Sequence, residues 1–395
     1  MTLSRFNITF IVLLIADFIL LLYTADSFSI SYRESNIYFD SFNLISFLSN
    51  FSTSIFGQND IALRLPFILF YLASVIVLYL LTDDYFKKQS DRLASIIIFM
   101  LLPGVNSAAL LVNESILVIF FTLLYLYLFK ISNKEHYWLL FICLFIDNSF
   151  AIMYLALFFY SLQKRDNTLL VIALVLFGIS MQMYGFDSGG RPRGYFVDTF
   201  GIYASIFSPL IFVYFFYSMY RIGLKGDKDL YWYISFTALI FSLLFSLRQK
   251  IYIEDFAPFV VIAIPLMVKL FMHTFRVRLP IFRKRHYAFA FVNVFILVAM
   301  FVVFIFNKQL YIILDNPKKN FTYNYHIAKE LAQELNKIGI NNIVCRNHRI
   351  QKRLKFYGIS KGGKLFLSTI KKQNAKLISI KYNNKTIQNY YLTKK

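Results

Sequence analysis

Apolar runs of about 20 residues recur from Asn7 to Asn307, each long enough to cross roughly 30 Å of hydrocarbon at ~1.5 Å per helical residue. Within lipid every backbone N–H and C=O must be satisfied internally, so such runs have to be helical. The chain is 58% hydrophobic and only 16% charged, against about 25% charged for a soluble domain. A water-soluble globule is excluded, and a polytopic α-helical membrane protein is expected.

Hydropathy places spans near 7–25, 62–82, 93–112, 115–130, 138–162, 168–184, 203–220, 230–247, 256–274 and 287–306. Short-loop Lys and Arg mark the cytoplasmic side. Arg5, Lys87, Lys88, Arg92, Lys130, Lys134, Lys164 and Arg165 fall there, as do the clusters at 221–228 and 276–285. The run 138–162 has basic residues beyond both ends, so it crosses twice or not at all, with Asp147, Asn148 and Ser149 at its tip. Counting it so gives about 10–12 transmembrane helices. The N-terminus is then cytoplasmic. Outside lie residues 26–60, the Asn113-Glu114 turn, residues 185–202, the connection from Arg248 to Asp255, and the C-terminal tail. No small-x-small cleavage site follows the first run, which reads as a retained span.

Beyond a transmembrane domain at 1–310, the segment 315–395 changes character. "YHIAKELAQELNKIG" has helical apolar spacing and ends in Gly, and "NNIVCR", "KLFLS" and "KLISIKY" are strand-like. A small basic α/β domain is expected there. From residue 307 onward, 19 Lys and Arg stand against three acids, a balance of +16 within the whole chain's +21. No nucleic-acid-binding motif accompanies that charge, so it is assigned to membrane lipid headgroups and not to nucleic acid. Cys143 and Cys345 make no disulfide framework or metal cluster, and the five histidines have no HExxH spacing.

The order of features along the outer side resembles the GT-C superfamily of membrane glycosyltransferases. Most similar is the bacterial branch of protein O-mannosyltransferases and lipid A aminoarabinose transferases. The carrying residues are the acidic-aromatic "YRESNIYF" after the first span and "GQNDIALRLP" with Gly57, Arg64, Leu65 and Pro66. They also include Asn113-Glu114-Ser115 ahead of "ILVIFFTLLYLYLF", and "RQKIYIEDFAPFVVIAIPL" with its late Pro. Where the family has an acidic pair this chain has Arg33-Glu34, so the second carboxylate is either missing or displaced to Asp26 or Asp40.

The resemblance implies a bacterial inner-membrane enzyme with a periplasmic C-terminal domain. It would move a sugar from a polyprenyl-phosphate donor to a lipid, glycan or protein acceptor at the periplasmic face. That chemistry needs a carboxylate to take the acceptor's proton, for which Glu34 and Glu114 are the candidates. It also needs cations for the leaving phosphate, and Arg191, Arg193, Arg248 and Lys250 are the outside basic residues available. The resemblance fixes no cofactor and leaves room for a divalent cation, Mg or Mn. Each choice has a plainer reading: Glu34 as a surface acid beside Arg33, Glu114 as a span-ending acid, and the arginines as side chains reaching to headgroups. A non-catalytic membrane scaffold and a lipid-carrier flippase are the alternative functions.

Overall fold

The computed structural model describes residues 5–185, 193–371, 375–383 and 385–394. Among them six helices are long and apolar enough to cross a membrane: Arg5–Ser27, Asp60–Leu81, Ser115–Ser132, Asn167–Tyr184, Ala257–Val277 and Pro280–Ile305. Two bent pairs raise the number to eight: Gln89–Leu101 with Pro103–Leu110, bent by 58°, and Phe196–Phe207 with Pro209–Lys225, bent by 105°. Each bend has a proline on its far side, which cannot donate to the preceding turn and pushes the residue before it out of the α region. Ser208 answers the larger bend with φ +84°.

Fewer helices reach a membrane-crossing length than the ten to twelve spans read from hydropathy, because several of the apolar runs form shorter helices. The run 138–162 is broken into Tyr137–Cys143 and Phe150–Lys164, and Leu230–Ser246 has 17 residues. Around Asp147 the chain reverses: the Tyr154 hydroxyl donates to the Leu140 carbonyl at 2.8 Å, whereas a continuous helix would separate residues 14 apart by about 21 Å. The Asp147 carboxylate accepts the Ser149 amide at 3.1 Å and closes that turn.

The chain divides into two compact units. The first comprises Met1–Asp17, Leu69–Ala109 and Glu114–Phe301. Its loop cations pair with acids of neighbouring loops, Lys130 with Asp84 at 3.0 Å and Arg276 with Asp91 at 2.5 Å. These join loops that the positive-charge bias places on one side.

The second unit comprises Phe18–Ile68, Leu110–Asn113 and Val302–Lys395. Its core is a four-stranded sheet of order β1-β2-β4-β3, with β1 Asn342–Cys345, β2 Ser360–Ser368, β3 Lys376–Tyr382 and β4 Lys385–Lys394. β1 and β2 are parallel and the other pairs antiparallel. The helices Ala328–Lys337 and His348–Phe356 supply Leu331, Leu335 and Leu354 to the core formed with Ile343, Ile378 and Ile380. This is the α/β domain expected from the tail. The compact unit is larger than 315–395, because the outer loop is built into it: the Ser29 amide donates to the Tyr325 carbonyl at 2.7 Å.

That loop contains the helices Tyr32–Asp40 and Leu44–Phe56. The second exposes Phe47, Phe51 and Ile55 while Ser49, Ser52 and Thr53 are buried. Its apolar ridge therefore faces out of the protein, the arrangement of a helix lying in a membrane interface. Tyr38 and Phe39, whose aromatic side chains would suit a membrane interface as well, pack against the His348–Phe356 helix instead. Tyr38 packs edge-on against Phe356 at 5.3 Å, and Lys355 sits 4.3 Å from the Phe39 ring.

Candidate active site

Glu34 is the N3 residue of its helix. Ser31 caps that helix by accepting the Glu34 amide at 3.2 Å, and the Glu34 carboxylate returns the bond by accepting the Ser31 amide at 2.7 Å. This is a reciprocal capping box. The same carboxylate accepts Arg64 Nη2 at 3.0 Å and the Val112 amide at 3.3 Å. Glu34 is only 2% exposed. Both of its oxygens are therefore engaged and out of solvent, so it is not an accessible acid paired with Arg33 on the surface.

Arg64 is completely buried one turn into the Asp60–Leu81 helix. Its guanidinium donates to the carbonyls of Leu110 at 2.9 Å and Phe28 at 3.0 Å, as well as to Glu34. The planar fork can serve several acceptors at once, which a lysine cannot do. Asp60 lies 3.7 Å from Arg64 on the same helix face. Its carboxylate accepts the Tyr357 hydroxyl at 2.6 Å and pairs with Lys329 at 3.3 Å. Lys329 also reaches Asp26 at 2.9 Å. Burial by itself would lower the Lys329 ammonium, yet Asp26 and Asp60 carry it above its ordinary value. Burial and the Asp60 charge push the Tyr357 hydroxyl well above the usual phenol range, so it acts as a donor.

Asp26 and Asp40, the two candidates for a displaced second acid, both have side chains 64% exposed, and Asp40 pairs with Lys352. They do not meet Glu34 as an acidic pair. The buried acids do not suit a divalent cation either, since Glu34 and Asp60 already hold the Arg64 guanidinium and Asp60 holds Lys329 as well. Among the described residues no group of three or more His, Cys, Asp or Glu is placed to bind a metal.

In the first unit, Glu114 sits at the N-cap position of the Ser115–Ser132 helix, half-exposed, and its side chain does not cap the helix. Of the four expected phosphate ligands, Arg191 lies outside the described residues. The other three belong to two segments that the fold joins: the Tyr195 amide donates to the Ser246 carbonyl at 2.7 Å, which ties Arg193 to the turn before Arg248 and Lys250. Arg193, Arg248 and Lys250 are exposed, and the Arg193 guanidinium lies 4.7 Å from the Tyr195 ring.

Sequence reading singled out Glu34 without its partners. Arg64 was noted only as part of a motif, and Asp60, Lys329 and Tyr357 were not singled out. Two local signals were available: Ser31-x-x-Glu34 spells a capping box, and Asp60 and Arg64 are four residues apart at the mouth of an apolar run.

The described chain is a set of apolar helices and an α/β domain, and comparisons with known proteins bear on what shares that architecture. Residues 43–147 match the family described as dolichyl-phosphate-mannose-protein mannosyltransferase. The fold is similar to that of ArnT from Cupriavidus metallidurans. The crystal structure of its apo state covers 97% of this chain and 97% of that one, at 11% identity and a TM-score of 0.56. The structure of the same protein bound to undecaprenyl phosphate covers 88% of this chain and 75% of that one, again at 11% identity, with a TM-score of 0.54. Comparison with curated proteins gives no match.

Proposed function

We propose that the chain is an inner-membrane glycosyltransferase that uses a polyprenyl-phosphate sugar and delivers it to a lipid, glycan or protein acceptor at the periplasmic face. The observation that carries this reading is the match of residues 43–147 to the mannosyltransferase family. The ArnT fold, seen elsewhere with undecaprenyl phosphate bound, supports it. In the reaction the acceptor hydroxyl attacks the anomeric carbon, the bond from that carbon to the phosphate oxygen breaks, and the acceptor's proton passes to a carboxylate. Glu114, half-exposed at a helix start, is assigned as that base. Arg193, Arg248 and Lys250 are assigned to the departing phosphate, whose oxygens gain charge as the bond breaks. Glu34 is assigned as a positioning residue that holds Arg64, not as the base.

The test is transfer of radiolabelled sugar from a polyprenyl-phosphate donor in membranes. Glu114→Gln should lower kcat by about 10²- to 10⁴-fold with KM little changed. Unchanged transfer in Glu114→Gln would remove the base assignment. Absence of any new glycosidic bond with the intact chain across a panel of lipid-linked sugars and acceptors would remove the function itself.

A further inference from the structure

The second unit contains a cavity of about 890 Å³ that neither Glu34 nor Arg64 lines, near the upper end of the range for sites that take small organic ligands. Five basic side chains line it, Lys318, Arg346, His348, Arg349 and Arg353, and no acid does. None of the five forms an ion pair among the described residues.

Arg353 is the decisive one. It is 5% exposed, and its guanidinium donates to the Ile30 carbonyl at 2.6 Å, the Ser29 hydroxyl at 3.1 Å and the Asn324 carbonyl. All three acceptors are neutral, and Nη1 has no partner among the described residues. The Glu34 carboxylate acts on it from a distance without outweighing the cost of burial, and an anion in the cavity it lines would supply a directly paired charge. Burial lowers its affinity for its proton, in the same sense. The start of the His348–Phe356 helix, capped by Asn347, also opens on the cavity and adds the positive end of its dipole.

The rest of the lining suits a hydroxylated body. Tyr32, Tyr323 and Tyr390 present rings, and Asn324, Asn347 and Gln388 present amides that can both donate and accept. We propose that this cavity binds a phosphorylated saccharide, its phosphates held by the basic side chains and its hydroxyls by the amides. Its use as the subsite for an anionic acceptor rests on the glycosyl-transfer reading above. Its existence as a binding site does not, and it is measured without turnover.

The experiment uses the full chain in phosphatidylcholine nanodiscs and calorimetric titration with glucose 1,6-bisphosphate, glucose and inorganic phosphate, alongside sedimentation with phosphatidylglycerol vesicles. Glucose 1,6-bisphosphate should bind about tenfold or more tightly than inorganic phosphate, and glucose should not bind. Arg346→Gln combined with Arg349→Gln, both exposed positions, should weaken that binding by about tenfold or more, the loss expected from charge-assisted bonds, with an unchanged melting temperature. Arg353→Gln is a second variant that should weaken binding as much, with a lower melting temperature because its bonds to Ser29, Ile30 and Asn324 are lost as well. Equal affinity in the exposed double variant, equal affinity for inorganic phosphate, or association with phosphatidylglycerol vesicles alone would each overturn the proposal. Intact binding in a chain that transfers no sugar would overturn only the transferase reading.

Discussion

Arg64 and Glu34, 30 residues apart in sequence, meet at 3.0 Å with neither side chain more than 3% exposed. The pair fastens the start of the Tyr32–Asp40 helix to the start of the Asp60–Leu81 helix, and the carbonyls of Phe28 and Leu110 take up the remaining guanidinium donors. A buried pair of this kind fixes geometry more than it adds net stability, because desolvation offsets much of the attraction.

Removing one member strands the other. Arg64→Met should therefore destabilise the second unit by about 3–5 kcal/mol, and Arg64→Lys should not restore it, since an ammonium cannot span the same acceptors. Hydrogen exchange at the amides of residues 31–36 reads this directly; protection equal to that of the parent chain in Arg64→Met would contradict it.

Arg193 and Arg248 sit on segments tied through Tyr195 and Ser246. If both contact the donor phosphate, Arg193→Gln and Arg248→Gln should each lower kcat/KM by about 10- to 100-fold, with the two losses less than additive. The steady-state rates of the two single variants and the double variant decide this, and full-rate variants would return both arginines to a headgroup role.

His326 is buried, with Nδ1 3.0 Å from the Tyr311 hydroxyl. Burial, aided by the Lys308 charge, holds its pKa down at about 3 from an ordinary 6.5. The unfolded imidazole takes up a proton near pH 6.5 while the folded one refuses it until about pH 3. Stability from this residue is thus complete above pH 6.5 and lost progressively as the pH falls toward 3. The melting temperature of the second unit should fall over that window, and His326→Leu should flatten the slope; an identical slope in that variant would assign the effect to other groups.

Within the first unit, Asp17 accepts the Tyr71 hydroxyl between the Arg5–Ser27 and Asp60–Leu81 helices. An acid this deep in an apolar helix needs such a partner. Tyr71→Phe should cost about 1 kcal/mol, the usual scale for a hydrogen bond between membrane helices. Denaturation in mixed micelles measures it, and a loss near zero would mean that Asp17 finds another donor.

The long helices were legible because apolar runs have one outcome in lipid: the expected spans at 7–25, 62–82 and 168–184 correspond to Arg5–Ser27, Asp60–Leu81 and Asn167–Tyr184. The tail's helix and strands were legible from periodicity. The bends at Pro103 and Pro209 were not, since hydropathy averages over the proline that breaks the helix. At the site, Glu34 could be picked out but not interpreted. Its partners come from residues 64 and 112, and no local pattern reports contacts over 30 or 78 positions. Lys329 and Tyr357 were lost in a tail whose many basic and aromatic residues look alike in sequence.

The second unit draws on residues 18–68 and 110–113 and on the last 94 residues. A ribosome that has released residue 301 has delivered every helix of the first unit, yet Asp60 still lacks Lys329 and Tyr357, and the Ile30 carbonyl still lacks Arg353. The loop between the Arg5–Ser27 and Asp60–Leu81 helices must therefore wait, incompletely satisfied, until the C-terminal domain emerges and docks onto it. Closure of this unit is a late event in biogenesis, and a chain truncated before Lys329 would carry a buried charge with one counterpart too few.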